Sequence, residues 1–444
     1  MNYVSFSARD LLALLAMVLV PAQAYCWSAP VAVDLNTTTA RRFETVLSVA
    51  AGTGLARGIC WSSDGVSTDT QNSLFYSRSS DGGSTWLPAQ DLLNMSARPL
   101  GSWGERPCLA SDLANTWLIT YDACAVSGKT IGTDRDIYFL RSSNAGGSWS
   151  VPTTLNADSA DPRVQNYNPA VATDRAGVWL AAYETETHAT SETRANYGIS
   201  VARSSNNALS WGTPQSLDLA SSASTFMENP AVATTGLGTW IVAWDSTTSN
   251  DTDLRYSRST DNGMNWSAAP YLNTSALADL ADMTDKNVRL AATPGGTWVA
   301  VWTSSYDSAT TSPVRDRILF ARSTDNGQSW SNPSPIDATI DSTRPVRISP
   351  DVTWDGSSFA AIWTGPAGLQ VSYSPSGSSW SAPVAVANGS GYEGSGPSRP
   401  RLASNASGLR AGAWINQPAT AIGPNIIFAP DQASANVAEW QMFW

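Results

Sequence analysis

His188 is the only histidine in the chain, so any hydrolytic chemistry here must run on carboxylates, tyrosine and arginine. A histidine-activated nucleophile and a helical zinc site are both excluded. Groups of the right types stand at two adjacent positions that recur along the sequence. The first position is filled in turn by Thr45, Glu105, Tyr167, Glu228, Lys286, Ile348 and Ser398, and the second by Val46, Arg106, Asn168, Asn229, Asn287, Ser349 and Arg399. Glu105, Arg106, Tyr167, Glu228, Lys286 and Arg399 break the repeat with ionisable groups, and departure from a repeat is where function is written. Tyr167 and Glu228 hold equivalent places in successive repeats, which makes a tyrosine–glutamate couple geometrically available, with Glu105 as a further catalytic candidate. Arg106, Arg289, Arg347 and Arg399, together with Lys286, Asn168 and Asn229, are the candidate ligand-binding groups. The competing reading of the same residues is a hydrated, partly salt-bridged rim.

The elements that must position these residues are hairpins. NPAVATDRAGVWLAAY (Asn168 to Tyr183), NPAVATTGLGTWIVAW (Asn229 to Trp244), NVRLAATPGGTWVAVW (Asn287 to Trp302) and RPCLASDLANTWLITY (Arg106 to Tyr121) each read as strand, polar turn, strand. Looser copies end at Trp61, Trp363 and Trp414, giving seven hairpins. Between them recurs Ser-x-Asp/Asn-x-Gly-x-x-Trp, in full at Ser79 to Trp86, Ser142 to Trp149, Ser259 to Trp266 and Ser323 to Trp330, and worn at Ser204 to Trp211 and Ser374 to Trp380. Its Ser and Asp can bond nearby amides, its Gly supplies a positive φ, and its Trp folds back over the turn. The box residues, and the Arg that precedes each of the first five, therefore read as structural. WSAPVAV at Trp27 to Val33 repeats WSAPVAV at Trp380 to Val386, and IIFAP at Ile426 to Pro430 matches ILFAR at Ile318 to Arg322. The two chain ends are thus expected to complete a seventh unit together, with residues 27–34 as its outer strand, and so to close the array.

The octapeptide turns resemble the Asp boxes of the sialidase superfamily, and the resemblance covers nearly the whole chain after residue 24. It implies an all-β fold, a β-propeller of four-stranded antiparallel blades. Seven blades are expected from the hairpins, and six, as in sialidases, is the alternative. The resemblance also implies exo-hydrolysis of terminal sialic acid, with three Arg clamping a carboxylate, a Tyr activated by Glu as nucleophile and an Asp as acid/base. That family opens its first inner strand with Phe/Tyr-Arg-Ile-Pro, whereas ETVLSVA (Glu44 to Ala50) has neither Arg nor Pro, and VRISP (Val346 to Pro350) lies in the sixth unit. Two functions follow: a propeller that binds a glycan or protein ligand on its loop face without turnover, and a sialidase-type glycoside hydrolase.

Arg9, the apolar run Leu11 to Val20 and Ala22-Gln23-Ala24 read as a signal peptide over residues 1–24, followed by a single domain over 25–444 in a secreted or periplasmic protein. No later run approaches the length of a membrane span. A net charge of −11 disfavours nucleic acid. Cys26, Cys60, Cys108 and Cys124 show no metal or redox spacing, and their pairing stays open. Acidic residues in the loops, Glu184 and Glu186, Asp251 and Asp253, and Asp316 among them, read as solvated. Bound Ca²⁺ is compatible with such loops, but no ligand set is assignable and no cofactor is expected.

Overall fold

The computed structural model describes residues 27–28, 31–34, 44–64, 72–93, 104–124, 135–156, 163–190, 193–219, 225–248, 251–274, 283–306, 315–336, 349–365, 368–388, 400–405, 408–416 and 425–431. Its regular elements are all β-strands, and among the described residues no helix is long and apolar enough to cross a membrane. The second strand of each repeat is the most enclosed. Trp240–Thr248 is buried from Trp240 to Ser246, and Phe359–Gly365 along its whole length. A strand hidden on both faces is sandwiched between two sheets.

Antiparallel pairing in chain order gives seven units among the described residues. They are Glu44–Ala51 with Arg57–Asp64, Asn72–Ser79 and Gln90–Asp91; Gly104–Ser111 with Trp117–Cys124, Arg135–Ser142 and Thr153–Thr154; and Val164–Thr173 with Trp179–Thr190, Thr193–Ser204 and Gln215–Leu219. The fourth holds Thr225–Thr234, Trp240–Thr248 and Asp251–Ser259, with an Arg255–Tyr271 bridge where the other units have a fourth strand. The fifth holds Met283–Ala292, Trp298–Tyr306, Arg315–Ser323 and Ser334–Pro335, and one parallel pairing, Thr252 with Thr284, joins it to the fourth. The sixth holds Asp351–Trp354, Phe359–Gly365, Gly368–Ser374 and Val384–Asn388. The seventh comes from both chain ends: Arg401–Ser404, Arg410–Asn416 and Asn425–Pro430 are completed by Val31–Asp34, with Val31 opposite Phe428. Trp27 fastens this strand by donating its indole N–H to the Tyr373 hydroxyl at 2.9 Å.

The core is divided among the junctions between units. Leu47, Val49, Ile59 and Trp61 of the first unit pack on Ala411, Ala413 and Phe428 of the seventh, so the array closes on itself. Trp61, Trp244 and Trp302 are fully buried, and each contributes about 4–6 kcal/mol of transfer free energy.

The Asp boxes staple one face. Ser79 Oγ accepts the Gly83 N–H at 2.8 Å, Asp81 Oδ1 accepts the Thr85 N–H at 2.9 Å, and Trp86 donates to the Gly83 carbonyl at 3.1 Å. Gly83 is required twice over: its φ is +97°, and a Cβ there would lie 1.9 Å from the Phe428 ring. The preceding arginines tie unit to unit, Arg203 Nε to the Asn262 carbonyl and Arg258 Nε to the Asn326 carbonyl, both at 2.7 Å. Each of the first five boxes also docks on the inner hairpin turn of its own unit, as Asn262 N–H does on the Gly238 carbonyl at 2.9 Å. Box turns and inner hairpin turns therefore share a face, and the inner strands begin at the other.

Candidate functional site at the mouth of the central cavity

The inner strands of the second to fifth units bulge as they enter the ring. In the third unit Tyr167 faces Glu184 and Ala170 faces Ala182, so two residues, Asn168 and Pro169, oppose one. The same slip follows Glu105, Glu228 and Lys286. The first bulged residue is left-handed: Arg106 (φ 50°), Asn168 (50°), Asn229 (54°) and Asn287 (60°). Asn tolerates that conformation, and in the second to fourth units the following Pro has no N–H to lose from the interrupted ladder. Arg106 keeps the following Pro107 but lacks Asn's tolerance of that conformation, and its strain marks the second unit as different.

The bulge exposes an amide that the preceding unit must satisfy, and carboxyls on the second strands do so. Glu184 Oε1 accepts the Asn229 N–H at 2.7 Å and the Asn168 side-chain amide at 2.9 Å. Asp245 takes the Asn287 N–H at 2.9–3.0 Å on both oxygens and the Asn229 side-chain amide at 2.9 Å. Asn168 Nδ2 also donates to Asn229 Oδ1 at 3.0 Å, so the two acids are linked through two asparagines. Burial raises both carboxyls to about 7. For Glu184 the Asn168 and Asn229 N–H groups and Arg106 oppose that shift, and for Asp245 the Asn287 N–H, the Asn229 amide and Arg289 do. Neither acid stands among the predicted site residues. Glu184 and Glu186, read as solvated, lie in the strand Trp179–Thr190, and Asp251, Asp253 and Asp316 are likewise strand residues. The signal available was position: Asp122, Glu184 and Asp245 each follow the aromatic that closes a hairpin.

Past the bulge, one row of side chains looks into the central bore: Ser48, Cys108, Ala170, Ala231, Arg289, Asp351 and Arg401. Three of them cap an edge amide of the next unit. Ser48 Oγ accepts from Leu109 (3.0 Å), Cys108 Sγ from Val171 (3.4 Å) and Asp351 Oδ2 from Leu402 (2.7 Å). Burial raises Asp351, and Arg401 and Arg289 on either side oppose the shift. Together with Arg106, Asn168 and Asn229 this row encloses a cavity of about 270 Å³ lined by three arginines and one aspartate. Arg289 and Arg401 also donate to the backbone carbonyls of Val288 (2.7 Å) and Pro400 (3.0 Å).

The predicted site residues distribute as follows. Arg106, Arg289, Asn168 and Asn229 line the cavity. The guanidiniums of Arg106 and Arg135 lie 5.9 and 5.7 Å from the centre of the Tyr167 ring, and the Tyr167 hydroxyl donates to Gln165. Glu228 and Lys286 are exposed. Only the backbone of Glu105 is described, and Arg347 and Arg399 lie outside the described residues. Arg401, which no sequence argument singled out, is the third arginine of the lining. Cys60 and Cys108 are both thiols, Cys26 lies outside the described residues, and burial raises the two thiols. Among the described residues no group of three or more His, Cys, Asp or Glu is placed to hold a metal ion.

A family model described as "BNR repeat-like domain" matches residues 118–398, more than half of the chain. No curated protein matches. Among solved structures, a GH93 α-L-arabinofuranosidase of Fusarium graminearum in complex with arabinobiose superposes with a TM-score of 0.51 at 11% identity, over 91% of this chain and 97% of that one. The Hadza microbial sialidase Hz136 gives 0.49 at 14% identity, over 75% and 65%, and the NanB sialidase of Streptococcus pneumoniae 0.47 at 11%, over 97% and 73%. At these identities the likeness is one of fold.

Proposed function

This chain belongs to the BNR repeat-like domain family, and we propose that it is an exported, seven-bladed propeller that recognises an acidic glycan at the mouth of its central cavity without turning it over. One observation carries the reading: Arg106, Arg289 and Arg401 converge on one cavity in a chain whose net charge is −11. Local positive charge in an acidic protein selects an anionic group, and a guanidinium recognises a carboxylate in two-pronged fashion. The nearby carboxyls support binding over cleavage, because Glu184 and Asp245 already accept hydrogen bonds from bulge amides. Calorimetry with an α-sialoside, arabinobiose and a neutral disaccharide tests the proposal. Saturable binding of the sialoside, weakened at least tenfold in Arg289→Ala and Arg401→Ala, is expected. Equal binding of all three sugars would overturn it. Export is checked by fractionation, with a mature N-terminus at Tyr25 expected.

A second reading rests on Glu184 and Asp245. Carboxyls that titrate near neutrality are what a general acid requires, and glycosidic cleavage uses a pair of carboxyls. Under it, fluorogenic α-sialoside or α-L-arabinofuranoside would be hydrolysed, and Glu184→Gln would abolish the release. A flat trace with both substrates retains the binding propeller.

A further inference from the structure

The bore has a second cavity at its other end, on the Asp-box face, of about 160 Å³. The inner strands finish there on Ala51, Ser111, Thr173, Thr234, Ala292, Trp354 and Ser404. Six of these are small and one is the largest side chain available. Trp354 lines the cavity, and its ring is supported from behind by Phe359, with centroids 4.7 Å apart. The turns that follow place Leu113, Arg175, Gly236, Pro294 and Gly356 at one equivalent position, and only Arg175 is charged. Units three and six are as far apart as a ring of seven allows, so Arg175 and Trp354 approach one cavity from opposite sides.

The polar groups around them are largely occupied. Thr173 and Thr234 donate their hydroxyls to the carbonyls of Val178 (2.9 Å) and Thr239 (2.8 Å). Asp174 Oδ1 accepts the N–H groups of Ala176 (2.7 Å) and Val178 (2.9 Å), while Oδ2 takes the Asn262 amide at 3.5 Å. The Arg175 guanidinium has no hydrogen-bond or ion-pair partner among the described residues, nor has the Trp354 indole N–H. Arg175 is exposed at the rim of the cavity, and desolvation by the cavity wall lowers its pKa. An uncommitted fork and an aromatic face packed on Phe359 therefore stand across this space.

We propose that this cavity is a second binding site, separate from the mouth, for a single uronic acid residue. The pyranose C–H face lies on the electron-rich face of Trp354, and the carboxylate pairs with Arg175. This site does not depend on the ligand assigned to the mouth.

Titrating the full chain with methyl β-D-glucuronide, followed by saturation-transfer NMR and calorimetry, tests this, with methyl β-D-glucoside as the uncharged probe. Saturable glucuronide binding is expected, weakened at least tenfold by Arg175→Ala and by Trp354→Ser, which installs the residue found at Ser111 and Ser404. Trp354→Phe, which keeps a ring, should retain most of the binding, and Arg289→Ala should leave this binding event unchanged. Thermal melts within a few degrees of the parent establish that the variants fold. No saturable binding, equal affinity for the glucoside, or loss in Arg289→Ala but not in Arg175→Ala would each overturn the proposal.

Discussion

Acidic side chains at the two ends of the ring have opposite fates. On the Asp-box face Asp81 is held at about 2 by the Thr85 hydroxyl and by the Thr85 and Ser79 groups that bond it, and Asp261 likewise by the Asn265 amides. In Asp325 burial works upward and the Ser329 groups overcome it. At the mouth Glu184 and Asp245 also accept amide hydrogen bonds, yet burial carries both to about 7. Hydrogen bonds alone therefore do not set a carboxyl's charge. The box aspartates bond amides in contact with water and stay ionised, whereas the mouth acids bond amides inside the wall and are held near the neutral form.

The largest effect expected from breaking this contrast is at a buried pair near the box face. Arg410 is 2% exposed, contacts Asp355 and lies 3.4 Å from Asp431. Arg410→Leu leaves two buried carboxylates without their cation and should cost about 3–5 kcal/mol in chemical denaturation. Gly83→Ala attacks the same closing unit sterically, through φ +97° and the Phe428 ring, and should cost about 2–4 kcal/mol. Gly54→Ala, with φ +55° and open space around it, is the matched control and should cost about 1 kcal/mol.

The pH dependence of stability sharpens the comparison. The mouth acids have folded pKa values above their unfolded ones, so their contribution is complete below about 4 and is lost as pH rises to about 7. The box aspartates have depressed values, so theirs is present above about 4 and is lost as pH falls to about 2. Stability should peak near pH 4–5. Glu184→Gln keeps acceptor and shape, removes ionisation, and should flatten the neutral limb by on the order of 2 kcal/mol. An unchanged limb in that variant would show that Glu184 ionises freely in the folded chain.

The box face was legible in the sequence because its chemistry is local. Ser79, Asp81, Gly83 and Trp86 satisfy one another within eight residues, and the hairpin aromatics and the N-terminal strand announce themselves by repetition. The mouth was legible only in part, because its partners are one unit apart. Glu184 reads as a loop acid since the strand Trp179–Thr190 runs on past its apolar stretch, and its acceptor role depends on an amide in the next unit. The bulge adds a second obstacle. Inserting one residue swaps the faces of the strand, so the residues before the Pro, which sequence reasoning favoured, lie upstream of the row containing Asp351 and Arg401 that looks into the bore.

The smallest effects test whether strain at the two ends serves different purposes. Ala208 fills the glycine place of the worn third box at φ 58°, fully buried, and donates its N–H to Ser204 Oγ at 3.1 Å. Arg106 fills at the mouth the left-handed place that Asn holds in the next three units. Ala208→Gly removes the Cβ penalty at the cost of a small void and should stabilise by about 0.5–1 kcal/mol. Arg106→Asn relieves a similar strain and should gain a similar amount, about 0.5–1 kcal/mol. Ligand affinity separates them. Ala208→Gly should leave sialoside binding as it was, whereas Arg106→Asn should weaken it at least tenfold, because only there is the strained residue an arginine that lines the cavity. If both variants gain stability and neither loses ligand, Arg106 belongs with Ala208 as a worn position, and the contrast between the two ends reduces to burial alone.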